Sequence, residues 1–196
     1  MVKVRTLPRS EWAGHLDEIA ALRIEIFRSF PYLYEGTLDY ETSYLQGYLE
    51  SSAACLVGAF DDTRLVGIST AIHMPEAEAE FQTPFREVHL PLEQIVYFGE
   101  SLLKAQYRGQ GIGGRFFDER EAFATSLGKI HLTTFASVVR DVSDPRTPAD
   151  YAPLDEFWNK RGYTKRRELR TAFEWLEIGA TSPTRQSMVF WCKAWP

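Results

Sequence analysis

The sequence predicts an α/β (α+β) fold, and three observations carry that prediction. Strand-like and helix-like segments follow one another in the order β-α-α-β-β-β-α-β-α-β-β. Two pairs of strand-like runs, 54–60 with 65–72 and 171–178 with 187–195, are close enough along the chain to pair antiparallel. A glycine-dense turn joins an apolar strand, 97–103, directly to a helix starting at Gly111.

Residues 2–7 alternate as a first strand. Leu16, Ile19, Ala20, Leu22, Ile24 and Phe27 recur near helical spacing and predict an amphipathic helix over 15–28, closed by Pro31. The next helix carries Tyr40, Tyr44 and Tyr48 four residues apart, a stripe that reads as a packing face. Asp61-Asp62-Thr63 supplies the turn of the first hairpin. The polar stretch Pro75–Pro91, with three prolines, reads as a loop with room for a short helix, placed where it could shape a substrate site. Ile112, Phe116, Phe123 and Leu127 mark the buried stripe of the helix after the glycine turn, and Gly128 stops it. A strand over 130–139, a proline-rich loop over 141–153, a short helix over 154–160 capped by Gly162, and the closing strand pair complete the chain.

The 196 residues read as one domain, 1–196, with enough apolar residues for a substantial core. Aromatic residues at 14% and charged residues at 25% belong to a globular chain and not a disordered one. No run has the length of a membrane helix, and the alternating N-terminus lacks a signal-peptide core. Cys55 and Cys192 lie in apolar surroundings without metal-ligand spacing and read as small core residues, which fits a reducing cytoplasm. A net charge of −5 argues against general nucleic-acid binding. From Ser29 to Phe85 the only cation is Arg64, against nine acids, whereas Lys160, Arg161, Lys165, Arg166, Arg167 and Arg170 crowd the C-terminal third. Met188–Cys192 suits either an internal strand or one paired across a homodimer.

The turn at 102–117, Leu-Leu-Lys-Ala-Gln-Tyr-Arg-Gly-Gln-Gly-Ile-Gly-Gly-Arg-Phe-Phe, proposes a phosphate-bearing cofactor. Amides at a helix start are unpaired and partly positive, and glycines let a ligand approach them. A nucleotide-hydrolase loop would need Lys-Ser or Lys-Thr after its last glycine, and neither occurs. Gly109-x-Gly111-x-x-Gly114 matches a dinucleotide fingerprint, but the acid that should hold the ribose is missing, since the first one after the next strand is Asp141. That leaves a dinucleotide-binding oxidoreductase as the weaker reading.

Arg108-x-x-Gly111-x-Gly113 resembles the acyl-CoA signature of the GNAT acetyltransferase superfamily. Phe157-Trp158-Asn159-Lys160-Arg161-Gly162-Tyr163 is similar to that family's late helix end. The resemblance covers residues 1–175 and implies a mixed, mostly antiparallel sheet of about seven strands, flanked by about four helices and splayed between strands 4 and 5. It implies acetyl-CoA as cosubstrate. The main chain of Leu102, Leu103 and Lys104 would meet the pantetheine arm, and the amides of Arg108, Gly109, Gln110, Gly111, Ile112, Gly113 and Gly114 the pyrophosphate. The arginine side chain would cap the loop or face phosphate.

The implied reaction is acyl transfer to a primary amine in a ternary complex, which needs a held thioester, a deprotonated amine and a stabilised oxyanion. Glu100, a carboxylate inside an apolar strand, is the first candidate base. Simple alternation places it with Phe98 and Leu102, whereas the family's base positions match Tyr97 or Gly99, so a bulge would have to turn it. The family's thiolate-protonating tyrosine has Trp158 in its place, which leaves Tyr163 or Tyr151 to substitute. Tyr32, Tyr34 and Glu35, with Tyr40 and Glu41, suit a small cationic amine. No His, Cys and carboxylate cluster calls for a metal. A non-catalytic acyl-CoA sensor is the alternative that the tryptophan keeps open.

Overall fold

The computed structural model describes residues 1–141 and 143–196; Val142, within the expected 141–153 loop, lies outside the described residues. The strands are β1 (Lys3–Thr6), β2 (Ala54–Asp61), β3 (Arg64–His73), β4 (Ile95–Leu103), β5 (Leu132–Val138), β6 (Thr164–Trp175) and β7 (Thr184–Ala194). They form one seven-stranded sheet in the order β1-β2-β3-β4-β5-β7-β6. Every neighbouring pair is antiparallel except β4 with β5. That parallel pair spans only Ile95–Tyr97 against Leu132–Thr134. Beyond Tyr97 the two strands part, and among the described residues the rest of β4 has no strand partner on that side. This is the splayed, mostly antiparallel sheet that the resemblance implied.

The helices are α1 (Arg9–Trp12), α2 (Leu16–Phe27), α3 (Leu38–Glu50), α4 (Ala79–Glu87), α5 (Ile112–Ser126) and α6 (Asp155–Lys160). On one face of the sheet, Phe116 and Phe117 of α5 and Phe157 of α6 pack on Val96, Phe98 and Phe135. On the other, Ile19 and Leu22 of α2 and Leu45 of α3 pack on Ile68 and Leu102, while Phe81 and Phe85 of α4 pack on Tyr97 and Phe190. Burial of such side chains, about 1.5–3 kcal/mol each, is the main force holding the two helical layers to the sheet.

Three expectations are corrected or extended. The Pro75–Pro91 stretch holds a nine-residue helix, α4, with Pro84 inside it. The proline removes one amide, but the aromatic cluster of Phe81 and Phe85 with Tyr97 and Phe190 outweighs that loss. Strand β6 starts at Thr164, seven residues before the expected 171. Its early part is basic and exposed because it lies on the sheet's edge, where charge deters further pairing. Strand β7 lies between β5 and β6, so Met188–Cys192 is an internal strand. Cys55 and Cys192 are free and buried, and burial pushes both thiols up to about 11.

Candidate active site

The glycine turn lies at the open end of the split. Gly109 and Gly111 have φ of +74° and +76°, a left-handed conformation that costs side-chain-bearing residues energy. Gly111 caps α5, and the first helical bond runs from the Arg115 amide to the Gly111 carbonyl at 3.2 Å. Among the described residues, no main-chain carbonyl accepts from the amides of Gly109 to Gly114. A Cβ on Gly109, Gly111 or Gly114 would meet no atom within 4 Å, so the space above these amides is open. Arg108 Nε donates to the Leu103 carbonyl at 3.3 Å and ties the turn to the end of β4. Leu102 is 1% exposed, so only its main chain can meet a ligand. Lys104 pairs through Nζ with Glu25 at 2.7 Å.

Glu100 is turned by a bulge. Strand register runs Ala71 with Phe98, then Ser69 with Ser101, which leaves Thr70 facing both Gly99 and Glu100. The Glu100 amide leaves the ladder and donates to Thr70 Oγ1 at 3.1 Å. Alternation is broken at this point. Phe98 packs on the α5 face, whereas Leu102, which shares Glu100's parity, packs with α2 and α3 on the other. The carboxylate accordingly faces α2 and α3, on the Tyr97 side. Gly99 permits the bulge, because a Cβ there would stand 2.3 Å from the Tyr48 hydroxyl and 2.5 Å from Thr70 Oγ1.

The sequence reading missed Glu100's main partner. Arg23, from α2, donates from Nη1 to Glu100 Oε2 and from Nε to Glu41 Oε2. Arg23 is 7% exposed, Glu100 8% and Glu41 0%. Burial raises the Glu100 pKa above the usual carboxylate range; Arg23 opposes the rise and Glu41 adds to it. Burial works against the Arg23 charge, yet Glu100 and Glu41 keep its pKa above the ordinary arginine value. The Arg23 guanidinium also lies 4.1 Å from the centre of the Tyr44 ring and 5.2 Å from that of Phe27. Burial first, and then the nearby Glu100 charge, pushes Tyr32 and Tyr48 up to about 12. Tyr44 and Tyr97 are also raised, mainly by burial. None of these phenols is a base near neutral pH.

The loop between α2 and α3 brings in Tyr32 and Tyr34. Arg140, just past β5, donates to the Pro31 and Tyr32 carbonyls and pairs with Glu177 at 2.5 Å. Trp175 Nε1 donates to the Tyr32 carbonyl at 3.1 Å, and the Glu35 amide to the Leu176 carbonyl at 2.8 Å. Burial, then a hydrogen bond to Glu41 and that carboxylate's charge, raise the Tyr34 pKa. Glu35 points elsewhere: it is half-exposed and pairs with Arg28.

Tyr163 is 1% exposed, in the aromatic core on the α5 face, and its hydroxyl meets Thr133 Oγ1 at 2.9 Å and Glu121 Oε1 at 3.3 Å. Trp158 packs on Phe135 and Trp191. Much of the basic C-terminal third is paired locally: Lys160 with Glu156, Arg161 with Asp118 and Glu121, Lys165 with Asp155, and Arg166 with Glu168. Among the described residues no helix is long and apolar enough to cross a membrane.

No protein-family model matches the chain, and no curated protein matches it. Solved structures do. A GNAT-family acetyltransferase from Streptococcus pneumoniae superposes with a TM-score of 0.59 at 12% identity, over 100% of both chains. The ribosomal-protein-alanine N-acetyltransferase of Brucella melitensis gives 0.60 at 12% identity, over 98% of this chain and 99% of that one. The PaiA N-acetyltransferase of Thermoplasma acidophilum, solved in complex with coenzyme A, gives 0.52 at 12% identity, over 100% and 99%. This chain therefore has the fold of the GNAT-family acetyltransferases.

Proposed function

We propose that the protein is an acyl-CoA-dependent N-acyltransferase, with acetyl-CoA as donor and a primary amine as acceptor. One observation carries the reading: the split between β4 and β5 opens beside a turn whose amides, Gly109 to Gly114, have no main-chain acceptor among the described residues. Those amides, at the positive end of α5, suit a pyrophosphate. The side of β4 without a strand partner, from Phe98 to Leu103, suits an extended amide-bearing arm, which would pair with it as an added strand does. Acetyl-CoA would supply the thioester.

Glu100 supplies the base in this reading. It lies three residues beyond the last β4–β5 pair and faces the side where Tyr32 and Tyr34 stand. It accepts a proton from the acceptor, whose nitrogen then forms the C–N bond as the C–S bond breaks. The nitrogen's second proton ends on the departing sulfur, and Glu100 returns its own to water. Tyr163, engaged by Thr133 and Glu121, serves the core in this account and does not meet the sulfur. A reducing compartment such as the cytoplasm suits the two free thiols. Trp158, standing where the resemblance calls for a tyrosine, favours a second reading, an acyl-CoA-binding sensor without catalysis.

Thermal melts with CoA and with NAD test the reading. CoA at about 100 times its Kd should stabilise the protein by about 2.7 kcal/mol, with no effect of NAD. Stabilisation by NAD alone would overturn it.

A further inference from the structure

We infer that Arg23, Glu41 and Glu100 form the acceptor's recognition site, and that it selects a primary ammonium on an aromatic or aliphatic body over neutral or anionic amines. The inference rests on the acyl-transfer reading and specifies its second substrate.

Charge is the first argument. Two carboxylates share one guanidinium, and all three side chains are at most 9% exposed. The group carries one negative charge more than positive. An uncompensated charge in a low-dielectric interior is costly, and a bound cation removes the cost. An unused acceptor is the second argument. Arg23 occupies Oε2 of each carboxylate; Glu100 Oε1 is buried without a hydrogen-bond partner among the described residues, whereas Glu41 has the Tyr34 hydroxyl beside it. An ammonium has three donors, one of which the free Glu100 oxygen can accept. The third argument is the wall. Phe27 and Tyr44 flank Arg23, and the Glu100 charge is felt at Tyr32, Tyr44 and Tyr48. Aromatic faces suit both an ammonium and the apolar body that carries it.

Proton transfer keeps this balance. With an ammonium bound, the site is neutral: two cations face two carboxylates. When one proton moves from nitrogen to Glu100 Oε1, Arg23 and Glu41 remain as a balanced pair beside a neutral amine and a neutral carboxyl. No net charge appears in the interior at either stage. Arg23 is then the positioning residue that sets Glu100's direction, and Glu41 sets the charge that the acceptor meets.

The test is thiol release from acetyl-CoA with 2-phenylethylamine, aniline and glutamate as acceptors, using wild type, Glu41→Gln and Glu41→Asp. CoA affinity and thermal melting are measured on each protein. Wild type should prefer 2-phenylethylamine. Glu41→Gln should raise its KM about tenfold or more, with kcat and CoA affinity little changed, and Glu41→Asp should recover part of the loss. CoA binding with a preference for aniline or glutamate, with no turnover of any acceptor, or with an unchanged KM in Glu41→Gln overturns this inference and leaves CoA recognition standing. Failure of wild type to bind CoA removes both. The wild-type ranking needs no variant, so the inference stays testable even if Glu41→Gln does not fold.

Discussion

The amide of Glu100 donates to the hydroxyl of Thr70 at 3.1 Å, and this bond marks the point where β4 gains one residue over β3. Thr70 also approaches the Tyr48 hydroxyl at 3.5 Å. One side chain thus satisfies the bulge and orients the carboxylate. Thr70→Val leaves the buried amide without an acceptor, and the expected loss is about 1–3 kcal/mol in urea unfolding. Acyl transfer should fall further than the stability loss accounts for, with CoA affinity unchanged, because the glycine turn lies beyond the bulge.

Glu100 also makes stability depend on pH. Its folded pKa is raised, chiefly by burial, so the folded protein holds this proton more tightly than the unfolded chain does. Its contribution to stability is therefore fully present below the unfolded value and is lost as pH rises through the folded one. Unfolding measured across that window should show Glu100→Gln with a flatter profile than wild type. Above the window Glu100→Gln should be the more stable protein, since Arg23 then faces Glu41 alone. A profile unchanged by the substitution would contradict the assignment.

Gly111 separates a backbone requirement from a ligand requirement. Its φ of +76° makes an alanine there cost about 1–2 kcal/mol, although no protein atom lies within 4 Å of the added Cβ. A methyl group among the pyrophosphate donors should weaken CoA binding by much more than this strain explains. Calorimetry on Gly111→Ala, set beside its melting curve, checks the difference. Equal losses in the two measurements would mean that nothing docks on the turn.

Arg140 straps the loop carrying Tyr32 and Tyr34 to the end of β6 through Glu177. Arg140→Ala breaks a largely buried pair and should cost about 3 kcal/mol. The acceptor's KM should rise while CoA affinity holds. A rise in the KM for acetyl-CoA instead would place the loop on the donor side.

The glycine turn was legible in the sequence because its chemistry is local: the glycines, the strand before them and the helix after them are contiguous. The splay followed from resemblance and not from any residue read alone. Glu100 was visible as a carboxylate in an apolar strand, but its direction was not, since an extra residue in β4 shows only against the register of β3. Arg23 was missed although a signal existed. It interrupts the apolar stripe Leu16, Ala20, Phe27 of α2, the place where a cation needs a buried partner. The acid-rich stretch from 29 to 85 offers only Arg64, so a buried Glu41 had to draw its cation from outside that stretch. Helix α4 was legible only as a short helix within a loop, because the aromatic packing that carries it past Pro84 comes from distant strands.

Release of free thiol from acetyl-CoA, followed with and without 2-phenylethylamine in wild type and in Glu100→Gln, tests the central claim most directly. The account predicts amine-dependent release by wild type and a loss of about 10²–10⁴-fold in Glu100→Gln at unchanged CoA affinity. Release that ignores the amine, or a Glu100→Gln protein as fast as wild type, would contradict it.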